Sequence, residues 1–346
     1  MFGKMMNNFY YGKSGKGDFK KEDLPRTRWQ LFWEMLRIRL SALCRMNLMT
    51  IVVWLPTIIV IGSFITNLLS VVNVDAQYRM YLEDGTFTES FTEESLKTLT
   101  GMGVTDAESM NELNVQVVAN LIMRSLLLLI PCIAITGPVT AGVSYVVRNW
   151  ARDEHAFIWS DFKDAVKENW KQSLVISLIT SVIPTLAYVG WEFYGQLAAK
   201  QPLMMVPQIL VMMIAVIWAL CVTYIYPLLV TYQLKLRDLL RNGLLLGVAR
   251  LPMSVGIRLL HCVPVLIGAA ISLLWNPFYG AMILFGYYFL IGFSLSRFVT
   301  ASYTNAVFDR FLNPRIEGAK VNQGLRQSTD DDEDDEDPEE RPDSAE

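Results

Sequence analysis

Six long apolar runs leave this chain few folds to choose from. They lie at roughly 47–72, 115–147, 173–198, 203–232, 252–274 and 277–300, separated by polar or Pro/Gly-marked breaks. A helix needs about 20 mostly apolar residues to cross the hydrocarbon core of a bilayer. The expected fold is therefore all-α: a polytopic membrane protein, built as a six-transmembrane-helix bundle with cytoplasmic interfacial amphipathic helices. Composition agrees, since 52% of the 346 residues are hydrophobic and only 18% are charged. The second run, at about 1.5 Å per residue, gives roughly 50 Å of helix, so part of it must leave the hydrocarbon. Arg124 marks one interface.

Charge gives the direction of the spans. Lys and Arg number ten before the first run, two in 73–114, five in 148–172, one near Lys200 and three in 233–243. There are none at Trp275-Asn276 and five after residue 301. This alternation, read by the positive-inside rule, places both termini in the cytoplasm and turns 73–114 outward. The window from Thr329 to Glu346 holds 12 acidic residues and one basic residue, while the remainder is basic by 29 to 22. The small net charge of −4 thus hides a basic membrane body and an acidic tail, and a general nucleic-acid binder is not expected.

The domain organisation follows. Residues 1–46 form a basic cytoplasmic arm and interfacial helix, 47–300 the six-span domain, and 301–346 a cytoplasmic segment ending in a disordered acidic tail. Within the membrane domain, 73–114 is an extracellular loop, while 148–172 and 233–250 are cytoplasmic amphipathic segments. In residues 29–45, Trp29, Phe32, Trp33, Leu36, Leu40 and Leu43 recur at helical spacing. After Ser160 as N-cap, Lys163, Lys167 and Lys171 repeat every four residues and should contact an anionic inner leaflet. Leu234 to Gly247 repeats the theme, with a G-x-x-x-G match at Gly243 and Gly247 that permits close helix packing. In the outer loop, Thr92 can cap a helix ended by Gly101, and Thr105-Asp106-Ala107-Glu108 reads as a capping box.

Every span has a proline in or beside it. The densest such point is Thr136-Gly137-Pro138-Val139-Thr140-Ala141-Gly142, where two glycines allow close approach and two hydroxyls can re-satisfy the opened backbone. Thr136, Gly137, Pro138, Thr140 and Gly142 are read first as a packing hinge and second as the lining of a cavity. Glu192, Tyr224, Tyr226 and His261 are candidate polar or aromatic cavity residues, although Glu192 also suits an interface near Lys200. Arg258 and Arg297 either face a central cavity or snorkel to the cytoplasmic side. Enzyme signals are poor. There are two histidines, His155 and His261, and no cysteine pair with ligand spacing, so no metal, cofactor or catalytic activity is expected. Gly12 to Gly17 resembles a phosphate loop, but Asp18 stands where lysine is required. The cysteines Cys44, Cys132, Cys221 and Cys262 all lie in or beside apolar runs, which argues against an external disulfide framework. The run Asp330 to Glu340 has ten acids in eleven positions. It is either a contact for basic surfaces or a solubilising tail.

Thr136-Gly137-Pro138 with Ala141 and Tyr145, then Arg148, then Phe162 with Lys167, Asn169, Trp170, Lys171 and Gln172, resembles the YesL-like family of bacterial integral membrane proteins of unknown function. Gly15-Lys16-Gly17, Phe32-Trp33 and the approach from Arg45 to Asn47 are similar to one clostridial-type branch. The resemblance implies a Firmicutes-type membrane protein, often encoded beside carbohydrate ABC-transporter and two-component genes, and supplies no catalytic residue. The expected role is an accessory or regulatory component linked to carbohydrate uptake, with ABC-transporter subunits or a membrane sensor as partners. A solute transporter or channel in its own right is the alternative.

Overall fold

The protein is described here by a computed structural model covering residues 24 to 326. The glycine-containing basic arm and the acidic run lie outside the described residues. Among the described residues ten α-helices follow one another: α1 (Arg28–Asp84), α2 (Glu93–Gly101), α3 (Ala107–Ala134), α4 (Thr136–Trp150), α5 (Ser160–Ala198), α6 (Met205–Thr231), α7 (Leu236–Ala249), α8 (Leu251–Leu274), α9 (Pro277–Tyr287) and α10 (Phe293–Phe311). A π turn, Tyr288–Gly292, joins α9 to α10. No strand occurs among the described residues, and six helical stretches are long and apolar enough to cross a membrane, one for each apolar run. Leucines of α8 such as Leu259, Leu266 and Leu273 are exposed, the kind of surface that a bilayer covers.

Two of the three interfacial segments are not separate helices. Residues 29–45 are the start of α1, which runs unbroken for 57 residues, and 160–172 are the start of the 39-residue α5. Early α1 also buries a face against protein. Leu31, Met35, Leu43 and Met46 pack with Val143, Val146, Val147 and Trp150 of α4, while Trp29, Trp33 and Leu40 stay exposed. The reason is that apolar residues occupy more than one face of this stretch, so a wheel alone does not say which face meets protein. Ser160 is the first residue of α5 and makes no N-cap bond; Asp161 instead accepts the Phe157 backbone N–H at 2.9 Å. The third segment is a helix of its own, α7, starting at Leu236 and lying against α6. A Cβ on Gly243 would come within 2.6 Å of Ile225 Cγ1, so this contact requires glycine.

The 73–114 segment is folded. α1 runs on to Asp84 and stops at Gly85, whose φ of 67° is left-handed. Thr92 caps α2 in a box with Ser95, and Asp106, one residue beyond the expected Thr105, caps α3 with Ser109. The Ser109 hydrogen bonds hold the Asp106 carboxyl below its usual range. Tyr78, Phe91, Leu99, Val104 and Met110 form a small core of their own. Asp75 binds Arg79 at 2.8 Å and accepts from Asn114 Nδ2 at 2.8 Å, which ties α1 to α3.

At the opposite end α10 continues past residue 300 to Phe311, and the chain then turns back onto the bundle. Buried Asp309 accepts from Arg28, from Asn313 and from the Asn322 backbone N–H. Arg152 donates to the Lys320 carbonyl at 3.1 Å, and the Arg326 N–H to the Pro25 carbonyl at 3.1 Å. Three distant pieces of chain are thereby closed into one platform.

The Lys/Arg alternation makes a direct prediction. With the four free cysteines replaced, single cysteines at Thr98, Gln201 and Asn276 should react with an impermeant thiol reagent on intact cells, and cysteines at Asp164 and Asn242 should not. Labelling at Asp164 from outside would reverse the orientation.

Candidate functional site

Two interruptions of helical geometry bring the polar residues together. The first is the hinge in the second apolar run. Proline has no N–H, so Pro138 leaves the carbonyl four residues before it without its helical donor. That carbonyl belongs to Ala134, where α3 ends, and Ser177 Oγ of α5 donates to it at 2.6 Å. Thr136 Oγ1 donates to the Ile133 carbonyl at 2.8 Å. Such an approach needs a bare backbone. A Cβ on Gly137 would lie 2.3 Å from the Ser173 carbonyl oxygen and 2.3 Å from Ser177 Oγ, and one on Gly142 would strike the Phe162 ring at 2.7 Å. Thr136, Gly137, Pro138 and Gly142 thus position α4 on α5, whereas Thr140 faces a cavity. Gly137→Ala should lower the thermal midpoint in detergent more than Ser177→Ala does. The former forces the helices apart at about 1–3 kcal/mol, and the latter leaves one carbonyl without its partner for roughly 1 kcal/mol or more. Equal, negligible losses would contradict the packing described.

The second interruption is the π turn in the last span. A π turn adds a residue to the helical ring and disturbs the regular pairing of its backbone groups. Asn47 of α1, fully buried, fills the defect: its Nδ2 donates to the Tyr288 and Phe289 carbonyls, both at 2.8 Å, and its Oδ1 accepts the Ser294 N–H at 3.0 Å. One amide side chain therefore serves three backbone groups 241 or more positions away in sequence. Its only sequence signal is an isolated amide at the start of an apolar run.

Between these interruptions lies a cavity of about 200 Å³, bounded by α1, α4, α6, α8 and α10. Arg258 and His261 reach it from α8, one helical turn apart, and Arg297 and Thr300 reach it from α10 with the same spacing. Thr140 and Thr223 complete the polar wall, with Trp54 and Tyr288 on the apolar side. No carboxylate lines it. The Arg297 guanidinium lies 5.3 Å from the centre of the Tyr226 ring, a cation–π contact that holds one of its faces. His261 Nε2 is 3.1 Å from the Ser296 carbonyl oxygen, which can only accept, so the ring donates there. Arg258 Nε, Thr223 Oγ1 and Ser294 Oγ are buried without a hydrogen-bond partner among the described residues. Of the two placements open to Arg258 and Arg297 from sequence, the structure adopts the cavity.

The other sequence candidates are dispersed, and only Tyr226 touches a residue of this site. Tyr226 supports Arg297 from beneath. Tyr224 is fully buried in a chain of hydroxyls, 2.8 Å from Ser254 Oγ and 2.8 Å from Tyr303 Oη. Glu192 is exposed near the far end of α5 and lines neither this cavity nor the next. Lys163, Lys167 and Lys171 are exposed on the first turns of α5, and Lys171 sits over the Trp170 ring at 5.5 Å. A second, more apolar cavity of about 510 Å³ lies between α5 and α6, walled by Pro184, Tyr188, Trp191 and Trp218, and Arg258 borders it too.

A family model described as "Protein of unknown function, DUF624" matches residues 116–191, from within α3 through the hinge to Trp191 of α5. No curated protein and no solved structure matches the chain. The hinge therefore lies inside the segment similar to that family, and the two cavity arginines lie outside it.

Proposed function

We propose that this membrane protein is an accessory or regulatory component linked to carbohydrate uptake, seated in a bacterial cell membrane with both termini in the cytoplasm. It works by contact and not by catalysis. Its partners are subunits of a carbohydrate ABC transporter or a membrane sensor, and its basic helix ends rest on the anionic inner leaflet. The YesL-like resemblance supports the link to carbohydrate, and the match over 116–191 agrees with the part of the chain that carries most of that resemblance. The observation that carries the reading is the platform closed by Asp309. Early α1, the turn after α4 and residues 312–326 are fastened together where a simple bundle of spans would need only short loops. Exposed Trp29, Phe157 and Trp159 are apolar contacts at that end, with Lys163, Lys167 and Lys171 nearby in sequence.

A solute transporter or channel is the second reading. It is favoured by Arg258 and Arg297, because ionisable groups lining a space inside a bundle commonly mark ion or solute pathways. Purification in mild detergent from the native membrane separates the two. Carbohydrate ABC-transporter subunits or a sensor should be recovered with the protein, and Asp309→Asn should reduce that recovery by unfastening the platform. Saturable solute flux by the purified protein alone in liposomes would overturn the accessory reading.

A further inference from the structure

We propose that the cavity between α1, α4, α6, α8 and α10 is a binding site for an oxyanion, with the phosphate group as its natural chemistry. This stands apart from the choice between accessory and transporter, since either could carry such a site.

Three observations converge. The first is charge. Two guanidinium groups, Arg258 and Arg297, line one small cavity that has no carboxylate on its wall, and neither makes an ion pair among the described residues. Burying a cation without a counter-ion is expensive, and a second cation beside it adds repulsion. A structural pair would have been built with an acid, or the arginines would have been turned outward. The second is hydrogen bonding. Arg258 Nε, Thr223 Oγ1 and Ser294 Oγ all lack partners, and Thr223 and Ser294 are at most 2% exposed. These atoms belong to side chains of the cavity wall but do not face its open space as they stand, so an acceptor would engage them only as the side chains turn toward it. Guanidinium groups match phosphate oxygens in a forked geometry that lysine does not supply. The third is space. About 200 Å³ is ample for one oxyanion and its residual hydration.

Depth in the bundle narrows the source. Arg258 comes seven residues after Leu251, where α8 begins, so it lies about 10 Å along the helix from the end next to α7. That is about a third of the way along the 252–274 run, counted from the basic end of the bundle. Arg258 also borders the apolar cavity walled by Trp191 and Trp218, so a ligand with a phosphate head and an apolar body could occupy both spaces. The shared chemistry is the phosphate oxyanion, supplied either by an anionic lipid headgroup or by a free phosphate.

The test uses the full-length protein in phosphatidylcholine nanodiscs. Inorganic phosphate is titrated in one arm, and phosphatidylglycerol replaces part of the lipid in the other, with the thermal midpoint read in both. A saturable rise with inorganic phosphate assigns the site to a free anion; a rise with phosphatidylglycerol alone assigns it to a headgroup. In the responding arm, Arg258→Gln and Arg297→Gln should each weaken the apparent affinity about tenfold or more, with Arg297→Lys intermediate. A Lys163→Gln, Lys167→Gln, Lys171→Gln variant should respond as the unchanged protein does, which separates the cavity from surface electrostatics. If the arginine variants do not fold, Thr223→Val, which keeps shape and removes one donor, should still weaken the response about threefold. A wild-type protein indifferent to both probes overturns the proposal, and so does an unaltered response in the glutamine variants or, where those fail to fold, in Thr223→Val.

Discussion

Every backbone N–H and C=O inside a bilayer must find a partner within the protein, and the architecture of this bundle depends on where that rule is strained. The helical ladder is interrupted at Pro138 and again at the Tyr288–Gly292 π turn, and in both places a side chain from another helix makes the repair. Ser177 draws α5 against the end of α3 and the start of α4. Asn47 draws α1 against the junction of α9 and α10. Each repair needs close approach, which explains why Gly137 has no room for a Cβ. An unrepaired group would cost roughly 1 kcal/mol or more, so the two contacts act as fixed points around which the remaining apolar surfaces pack.

The basic cavity is a consequence of those fixed points. Thr140 lies one turn after the hinge, Ser294 and Arg297 follow the π turn, and Thr50 lies one turn from Asn47, so both repairs deliver polar side chains to one space. The surrounding spans contribute mostly apolar surface. Around this space the protein invests in order at its ends: a small core beneath the 73–114 segment, and the Asp309 platform at the other side.

Much of this was legible in the sequence. The six spans followed from length and hydropathy, the helix starts at Thr92 and near Asp106 from capping chemistry, and the Gly-Pro hinge from residue types that permit close approach. What escaped was of two kinds. The continuity of early α1 and α5 with their spans was hidden because their amphipathic pattern resembles that of a surface helix, and no proline or glycine marks a junction or its absence. The partner of Asn47 was hidden because a π turn has no periodic signature and its repair comes from the far end of the chain. Arg258 and Arg297 stand 39 residues apart on different helices, and a single sequence does not say whether two such helices share a face.

The central claim is that Asn47 holds the last span in its π turn and so shapes the cavity. Residue-resolved hydrogen exchange tests it at one atom, because the Ser294 amide donates to Asn47 Oδ1 and Ser294 lines the cavity. Comparing the protein with Asn47→Leu in the same detergent, Ser294 should lose about tenfold or more of its protection, while amides in the core beneath 73–114 should be unchanged. Equal protection of Ser294 in both proteins would contradict the account.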